Sequence, residues 1–451
     1  MKKTILFALA LGFLFPAMAQ TNPKEEKDKA KAPEPKVSAK LYGFVRNYAN
    51  YDSRQTYYVV GGEYNMIPKD ESWSTPDENN PNRFDQNAIP QFHLMAITTR
   101  VGLNLTGPGI LGATSSQGKI EADFGGFSTT NTVLRIRHAY CKLNWDKEGD
   151  NSELLVGQTW HPLSGDIMPE VLGMAAGAPF RPHSRTPQVR YQYYHGNFGV
   201  TASALSQVQY MNNGPSWDGS KWTSTNSTSF AYNAILPEFF LGLNYKSSKV
   251  YAQLGIDYQT LRPRTYGFVG TDKVAVDETL NSFTPTLYFQ YTEGLFALKF
   301  RSLLAQNTSH LNQLVGYGVT NFDPLTGVWE YTPMQASISY LNLAYGKKVR
   351  ANLFLGYQEN LGLAGNKSLA TLADGSANIY SKGNYTNIQN VWRICPGVSY
   401  NTKAFNVGIE YELTGVAYGN KNAMNPNGTF DAENTHEVLG HRICALVKYN
   451  F

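Results

Sequence analysis

Apolar and polar residues alternate along much of this chain, and the pattern is clearest in the last stretch, His436–Phe451. One parity of that stretch is apolar, whereas the other is largely polar, with Leu446 as the exception. The apolar parity comprises Ile443, Ala445, Val447, Tyr449 and Phe451. A period of two predicts a β-strand with one apolar face. A terminal strand of this kind is typical of a membrane barrel, because the last strand there pairs with the first and leaves no open edge.

About sixteen segments share this alternation, and each has roughly the length that a tilted strand needs to cross a bilayer. The predicted strands lie near Ala39–Tyr51, Gln91–Leu105, Gly118–Gly125, Thr132–Asp146, Glu153–Trp160, Gln188–His195, Phe198–Gln209, Glu238–Lys246, Lys249–Leu261, Ser282–Tyr291, Leu295–Gln306, Met334–Tyr345, Lys348–Glu359, Asn387–Tyr400, Ala404–Tyr418 and His436–Phe451. The pattern therefore predicts an all-β fold, a closed antiparallel transmembrane β-barrel of about 16 strands.

The connections between these segments alternate in length. Short links contain hairpin-turn residues, as in Gly196-Asn197, Glu293-Gly294 and Asn401-Thr402. Long loops separate them, namely Asp52–Pro90, His161–Pro187, Tyr210–Pro237, Arg262–Asn281, Asn307–Pro333, Asn360–Thr386 and Gly419–Thr435. Short turns at one rim and long loops at the other are typical of barrels in the bacterial outer membrane.

The beginning of the chain predicts export. Lys2 and Lys3 precede the apolar run Ile5–Phe15, and Ala17-Met18-Ala19 forms a cleavage site of small residues. We expect a signal peptide over residues 1–19, a flexible periplasmic tail over 20–38, and a transmembrane barrel over 39–451. The expected location is the bacterial outer membrane, where lipid surrounds the barrel.

Composition agrees with a barrel and argues against several function classes. The chain has 29 Tyr, 23 Phe and 40 Gly, only 16% charged residues, and a mean hydropathy of −0.35. The apolar and polar faces of alternating strands cancel in the mean hydropathy, so a barrel has a polar average composition. The formal charge of +4 falls to about +2 once Lys2 and Lys3 leave with the predicted signal peptide, which is too near zero to imply a nucleic-acid partner. No serine lies in a G-x-S-x-G motif, so we expect no enzyme, and we expect no metal or other cofactor.

Strand parity predicts which side chains face the lumen. A charge on the lipid face costs about 2–4 kcal/mol at mid-membrane, so charged strand residues should face inward. The inward bases are Arg46, Arg100, Arg135, Arg137, Arg190, Lys299, Arg301, Arg350, Arg393 and Arg442, and the inward acids are Glu121, Asp123, Asp257, Glu410 and Glu412. The same parity turns Cys141, Cys395 and Cys444 inward. Two interpretations stay open: a wet, salt-bridged lumen without selectivity, or an arginine ladder that favours anions.

The loop His161–Pro187 is apolar in its middle and basic at its end, which is unusual for a solvated loop. We expect it to fold into the lumen and to form a constriction, with Asp166, Glu170, Arg181 and Arg185 among its lining residues. The alternative is an outward loop that packs on its neighbours.

Three motifs and the last residue resemble Gram-negative trimeric porins, and the DcaP-like porins in particular. They are Leu41–Arg46, Arg135–Tyr140, Gly157–Trp160 and Phe451. The resemblance implies a sixteen-stranded homotrimer through which small hydrophilic solutes diffuse, with Phe451 as an assembly signal. We therefore expect a porin for passive diffusion, with a bias toward anions as the sharper hypothesis. A substrate-specific uptake channel and a structural or adhesive barrel are the alternatives.

Overall fold

The computed structural model describes residues 37–451, apart from 60–61, 77–81, 128–131, 165–166, 174–176 and 373–374. The predicted signal peptide, the predicted tail up to residue 36, and the predicted lining residue Asp166 lie outside the described residues.

Sixteen strands form the barrel, as the alternation predicts. Their bounds are β1 Ser38–Asp52, β2 Gln91–Met95 with Arg100–Pro108, β3 Ser115–Phe127, β4 Thr132–Lys147, β5 Asp150–Trp160, β6 Arg185–His195, β7 Phe198–Leu205, β8 Glu238–Lys246, β9 Val250–Leu261, β10 Leu280–Glu293, β11 Phe296–Gln306, β12 Trp329–Gly346, β13 Val349–Leu363, β14 Ile388–Asn401, β15 Phe405–Gly419 and β16 Thr435–Asn450.

Each strand pairs antiparallel with its neighbour in sequence. The barrel closes where β1 pairs with β16, with Phe44 opposite Asn450 and Asp52 opposite Arg442. Two further backbone hydrogen bonds join Gly43 and Phe451, each at 3.1 Å. The last strand therefore completes the cylinder, and no barrel edge stays open.

The lengths of the connections alternate between short and long, as predicted. Short turns occupy one rim, at 109–114, 148–149, 196–197, 247–249, 294–295, 347–348 and 402–404. Seven loops with described residues occupy the other rim: L1 (53–90), L3 (161–184), L4 (206–237), L5 (262–279), L6 (307–328), L7 (364–387) and L8 (420–434). The second connection, L2 (128–131), lies outside the described residues. Because short turns face the periplasm in outer-membrane barrels, the turn rim is the periplasmic one.

The loops carry small elements of their own. Two-stranded hairpins join Thr56–Val59 to Tyr64–Pro68, Asn213–Trp217 to Trp222–Asn226, and Tyr266–Val269 to Asp272–Ala275, while Tyr317–Phe322 pairs with β12 and Ile379–Tyr380. The helix α1 spans Ser229–Tyr232, and 3-10 turns span Ser309–Leu311, Ala364–Asn366, Lys382–Asn384, Lys421–Ala423 and Ala432–Asn434. In the described part of the chain, no helix is long and apolar enough to cross a bilayer.

The two faces of the wall differ as a membrane barrel requires. In β16, Leu439, Ile443 and Val447 are more than two-fifths exposed, whereas Arg442 and Cys444 are buried. The apolar residues meet lipid, and the polar parity faces the interior.

The predicted inward orientation of Cys141 is wrong. The pairing of β3 with β4 shifts by one residue, because Glu121 lies opposite His138 while Ala122 lies opposite Ile136. Arg137 and His138 are both buried on the inside, and Cys141 beyond them is exposed. A bulge of this kind reverses the parity of every later residue on its strand, and local sequence gives no sign of it.

Candidate permeation site

Loop L3 lies against inward-facing side chains of the wall. Two of its backbone amides, at Leu172 and Gly173, donate to the Glu410 carboxylate at 2.7 and 3.0 Å. The Tyr48 hydroxyl donates to the carbonyl of Leu172 at 3.2 Å. Glu410 on β15 and Tyr48 on β1, the two strands that flank β16, thus hold the middle of L3 by its backbone, and these contacts fix where the loop lies inside the barrel.

The acidic residue of L3 is bound by basic wall residues. Glu170 accepts a hydrogen bond from Arg350 and lies 3.6 Å from the ammonium group of Lys299. Burial raises the pKa of the Glu170 carboxyl, but the Arg350 hydrogen bond and the Lys299 charge outweigh burial and hold the pKa below its ordinary value. Glu170 therefore neutralises wall charge rather than opposing it across an open lumen.

Loop L1 also enters the barrel, which our sequence reasoning missed. Its strand Tyr64–Pro68 is buried throughout. The side chain of Asn65 donates to Glu412 at 2.8 Å, Arg393 donates to the carbonyl of Met66 at 3.0 Å, and Tyr418 donates to that of Pro68 at 2.6 Å. The signal in the sequence was the group of apolar residues Tyr64, Met66 and Ile67 inside a long polar loop.

Loop L6 supplies a third inward segment, over residues 309–315, which is buried throughout. The backbone amide of His183 in L3 donates to the carbonyl of Leu311 at 2.8 Å. The Asn312 side chain donates in return to the carbonyl of His183 at 3.3 Å. Three loops therefore meet inside the barrel, and they reduce the space through which a solute could pass.

Wall arginines of β4 form a dense ion-pair cluster with acids of β3. Arg135 donates to both carboxylate oxygens of Asp123, at 2.9 and 2.8 Å, and lies 3.4 Å from Glu63 of loop L1. Arg137 donates to Glu121 at 2.8 Å and to Asp123 at 2.6 Å. Fork-like pairing of this kind satisfies the guanidinium groups and neutralises most of their charge.

Other predicted arginines also lie beside carboxylates. Arg100 lies 3.4 Å from Glu121, Arg393 lies 3.2 Å from Glu412, and Arg442 lies 3.8 Å from Asp52. The structure therefore pairs most of the predicted basic residues with carboxylates, as expected for a salt-bridged lumen.

The remaining predicted bases make different contacts. The guanidinium carbons of Arg46, Arg185 and Arg301 lie 4.4, 4.3 and 5.3 Å from the ring centroids of Phe44, Trp160 and Tyr288, respectively. Arg190 donates to the side chain of Gln188 at 2.9 Å. Arg181 is buried in L3, near His183, whose pKa is well below its ordinary value because of burial and the charges of Arg181 and Arg185.

A cavity of about 510 Å³ lies beside the β4 arginines at the loop side of the interior. Its lining residues come from the wall and from loops L1, L4, L6 and L7: Tyr58, Val59, Gly62, Gly125, Gly126, Arg135, Gln209, Tyr210, Asn312 and Lys382. The size suits a small organic solute rather than a polymer.

Lys382 is the cavity's uncompensated charge. Its ammonium nitrogen lies 5.6 Å from the centroid of the Tyr210 ring. Among the residues that the structure describes, no carboxylate lies within ion-pair distance of it. Burial lowers the pKa of Lys382 to about 8. Sequence reasoning missed this residue because it lies in a loop, where strand parity makes no prediction.

Three buried side chains, His161, Glu238 and His310, lie as close together as metal ligands do. Glu238 Oε1 is 2.7 Å from His161 Nε2 and 3.0 Å from His310 Nε2. However, His161 Nδ1 accepts the backbone amide of Leu163 at 3.1 Å, which leaves the proton of a neutral ring on Nε2. The trio therefore fits a hydrogen-bonded link between L3, L6 and β8 better than a metal site.

Comparison with known proteins agrees with the fold of an outer-membrane barrel. The model of the family described as DcaP outer membrane protein matches residues 17–235. The outer membrane channel DcaP of Acinetobacter baumannii has a similar structure, with a TM-score of 0.60 at 18% identity over 92% of this chain and 97% of that chain. A search of curated proteins finds no match.

Two further structures are similar at lower scores. OmpT of Vibrio cholerae has a TM-score of 0.48 at 12% identity, over 94% of this chain and 100% of that chain. An anion-selective porin from Comamonas acidovorans has a TM-score of 0.47 at 11% identity, over 92% of this chain and 100% of that chain.

The predicted resemblance to DcaP-like porins and the predicted outer-membrane location are confirmed.

Proposed function

We propose that this outer-membrane barrel, a porin-type channel that resembles DcaP, lets small hydrophilic solutes diffuse passively and favours anions among them. The observation that carries the proposal is the uncompensated ammonium group of Lys382 at a cavity whose other charge, Arg135, is already paired with Asp123. A charge between low-dielectric walls acts strongly on a passing ion, because the field is focused into the narrow space.

The paired arginines have a different role in this account. They hold β3, β4 and loop L1 together around the cavity, since Arg135 binds both Asp123 and Glu63. The selectivity is therefore weak, and it depends on one residue more than on a ladder. We further propose that the channel is a homotrimer, as the resemblance to trimeric porins implies.

The proposal is tested by the reversal potential of the purified protein in a planar bilayer with a gradient of potassium chloride. The wild-type potential should indicate chloride preference, and Lys382→Gln should move it toward zero or toward potassium preference. Lys421→Gln, at an exposed position of loop L8, is the matched control and should behave as wild type. A Lys382→Gln channel with wild-type potential would overturn the assignment.

A substrate-specific uptake channel is the second candidate, and the filling of the interior by three loops favours it. A specific channel would show a conductance that saturates at low solute concentration, whereas passive diffusion gives a nearly linear dependence.

A further inference from the structure

A second group of basic residues surrounds one aromatic ring nearer the turn rim. The guanidinium carbons of Arg46 and Arg100 lie 4.4 and 4.9 Å from the centroid of Phe44, and the ammonium nitrogen of Lys448 lies 4.9 Å from it. Lys119 approaches the neighbouring Tyr42 ring at 5.3 Å. We call Phe44, Arg46, Arg100, Lys119 and Lys448 the Phe44 cluster.

The strand register places two of these cations directly opposite each other. Arg46 of β1 pairs with Lys448 of β16, and like charges in such a position destabilise a sheet. The same two strands place Asp52 opposite Arg442 near the loop rim, where the charges are opposite. The like-charged pair therefore costs stability that an acidic residue at either position would avoid.

Acidic residues do not balance the Phe44 cluster. Glu121 lies 3.4 Å from Arg100 and 3.9 Å from Lys119, but it also accepts a hydrogen bond from the buried Arg137. For Arg46 and Lys448, the described ranges contain no carboxylate within ion-pair distance. The Nε atom of Arg46 is buried, and within those ranges it makes no hydrogen bond, whereas the Nε atom of Arg100 is the one that lies 3.4 Å from Glu121.

The Phe44 cluster is separated from the cavity of Lys382 by the contacts of loop L3. Arg46 donates to the Tyr48 hydroxyl at 3.2 Å, and that hydroxyl donates to the carbonyl of Leu172 in L3. Arg46 is therefore two residues closer to the turn rim along β1 than Tyr48, the wall contact of L3. The side chains of Arg46 and Lys448 are half-buried, so a solute in the lumen can reach them.

We propose that the Phe44 cluster is a binding site for a small oxyanion, a carboxylate or phosphate group, on the periplasmic side of loop L3. Two guanidinium groups and an ammonium group around one ring match such a group in charge and in the type of hydrogen-bond donor. The site rests on the proposed function for its biological meaning. It would give an anion that crosses the channel a second binding site, after the Lys382 cavity. Binding itself does not depend on the selectivity that Lys382 confers.

The test is a titration of detergent-solubilised full-length protein with inorganic phosphate and, separately, with acetate, observed by phosphorus NMR and by carbon NMR of labelled acetate. All variants carry Lys382→Gln, so that the loop-side cavity does not contribute. Adding Arg46→Gln and Lys448→Gln should weaken binding about tenfold, the effect expected for loss of charge-assisted hydrogen bonds. The anion that binds with the higher affinity is the preferred oxyanion.

The matched control adds Lys347→Gln and Lys403→Gln, which remove two charges from exposed turns at the same rim. The control should retain the affinity of its parent. Unchanged affinity in the Arg46 and Lys448 variant, or an equal loss in the control, would overturn the site. A failure of the Lys382 assignment would be seen in the reversal potential instead, so the two outcomes are distinguishable.

Discussion

Arg137 donates to Glu121 at 2.8 Å and to Asp123 at 2.6 Å, so one guanidinium group joins two carboxylates inside the wall. All three side chains are buried, with exposures of 1%, 3% and 0%. In this group of three side chains, each buried charge has a partner of opposite sign, which offsets the cost of burying it.

Arg137→Gln should therefore destabilise the barrel, because it leaves two buried carboxylates with less compensation. Removing one partner of a buried ion pair costs about 3–5 kcal/mol, and we expect a value near the lower end because Arg135 and Arg100 remain close. The measurement is the urea concentration at which half of the protein has lost the heat-modifiable, folded band in electrophoresis. Arg137→Lys should recover part of the loss, and a midpoint for Arg137→Gln equal to that of wild type would contradict the pairing.

Glu410 should control the position of loop L3, because its carboxylate accepts the amides of Leu172 and Gly173. Glu410→Leu removes both acceptors and should increase the noise of the open-channel current, since L3 loses a wall contact. Single-channel recording measures this directly. Glu433→Gln, at an exposed position of L8, is the control, and equal noise in both variants would argue that Glu410 does not anchor the loop.

Closure of the barrel should depend on the contact of Gly43 with Phe451. A Cβ atom at Gly43 would lie 2.5 Å from the Phe451 ring and 2.5 Å from the carbonyl oxygen of Arg100, so Gly43→Val would crowd the seam. Phe451→Glu would replace the exposed terminal ring at the same seam with a charge. Both variants should give less folded barrel in outer-membrane fractions while export continues. A wild-type level of heat-modifiable protein in both would contradict this prediction.

The sequence predicted the wall far better than the interior. Alternation identified all sixteen strands, because lipid imposes a period of two on every strand that it contacts. The inward segment of loop L1, Tyr64–Pro68, was missed because all five of its residues are buried, so it shows no alternation between an apolar and a polar face. The pairing of Arg135 with Glu63 was also out of reach, since it joins a strand to a distant loop. Cys141 shows that parity itself fails beyond a bulge.

The pH dependence of ion selectivity tests the role of Lys382 most directly. Burial lowers the pKa of its ammonium group to about 8, so the group is charged below that pH and loses its charge as the pH rises through it. Burial raises the pKa values of Tyr58 and Tyr210, and that of His183 is well below its ordinary range, so these neighbours keep their charge state between about pH 7 and pH 9.

The decisive measurement is the reversal potential of Lys448→Gln and of the Lys382→Gln, Lys448→Gln double variant in the same chloride gradient at about pH 7 and about pH 9. Lys448→Gln removes the other lysine that the account places on the anion path. The account predicts that the chloride preference of the Lys448→Gln channel declines over this interval, whereas that of the double variant is already low and does not change. A potential of the Lys448→Gln channel that is independent of pH, or the same decline in the double variant, would contradict it.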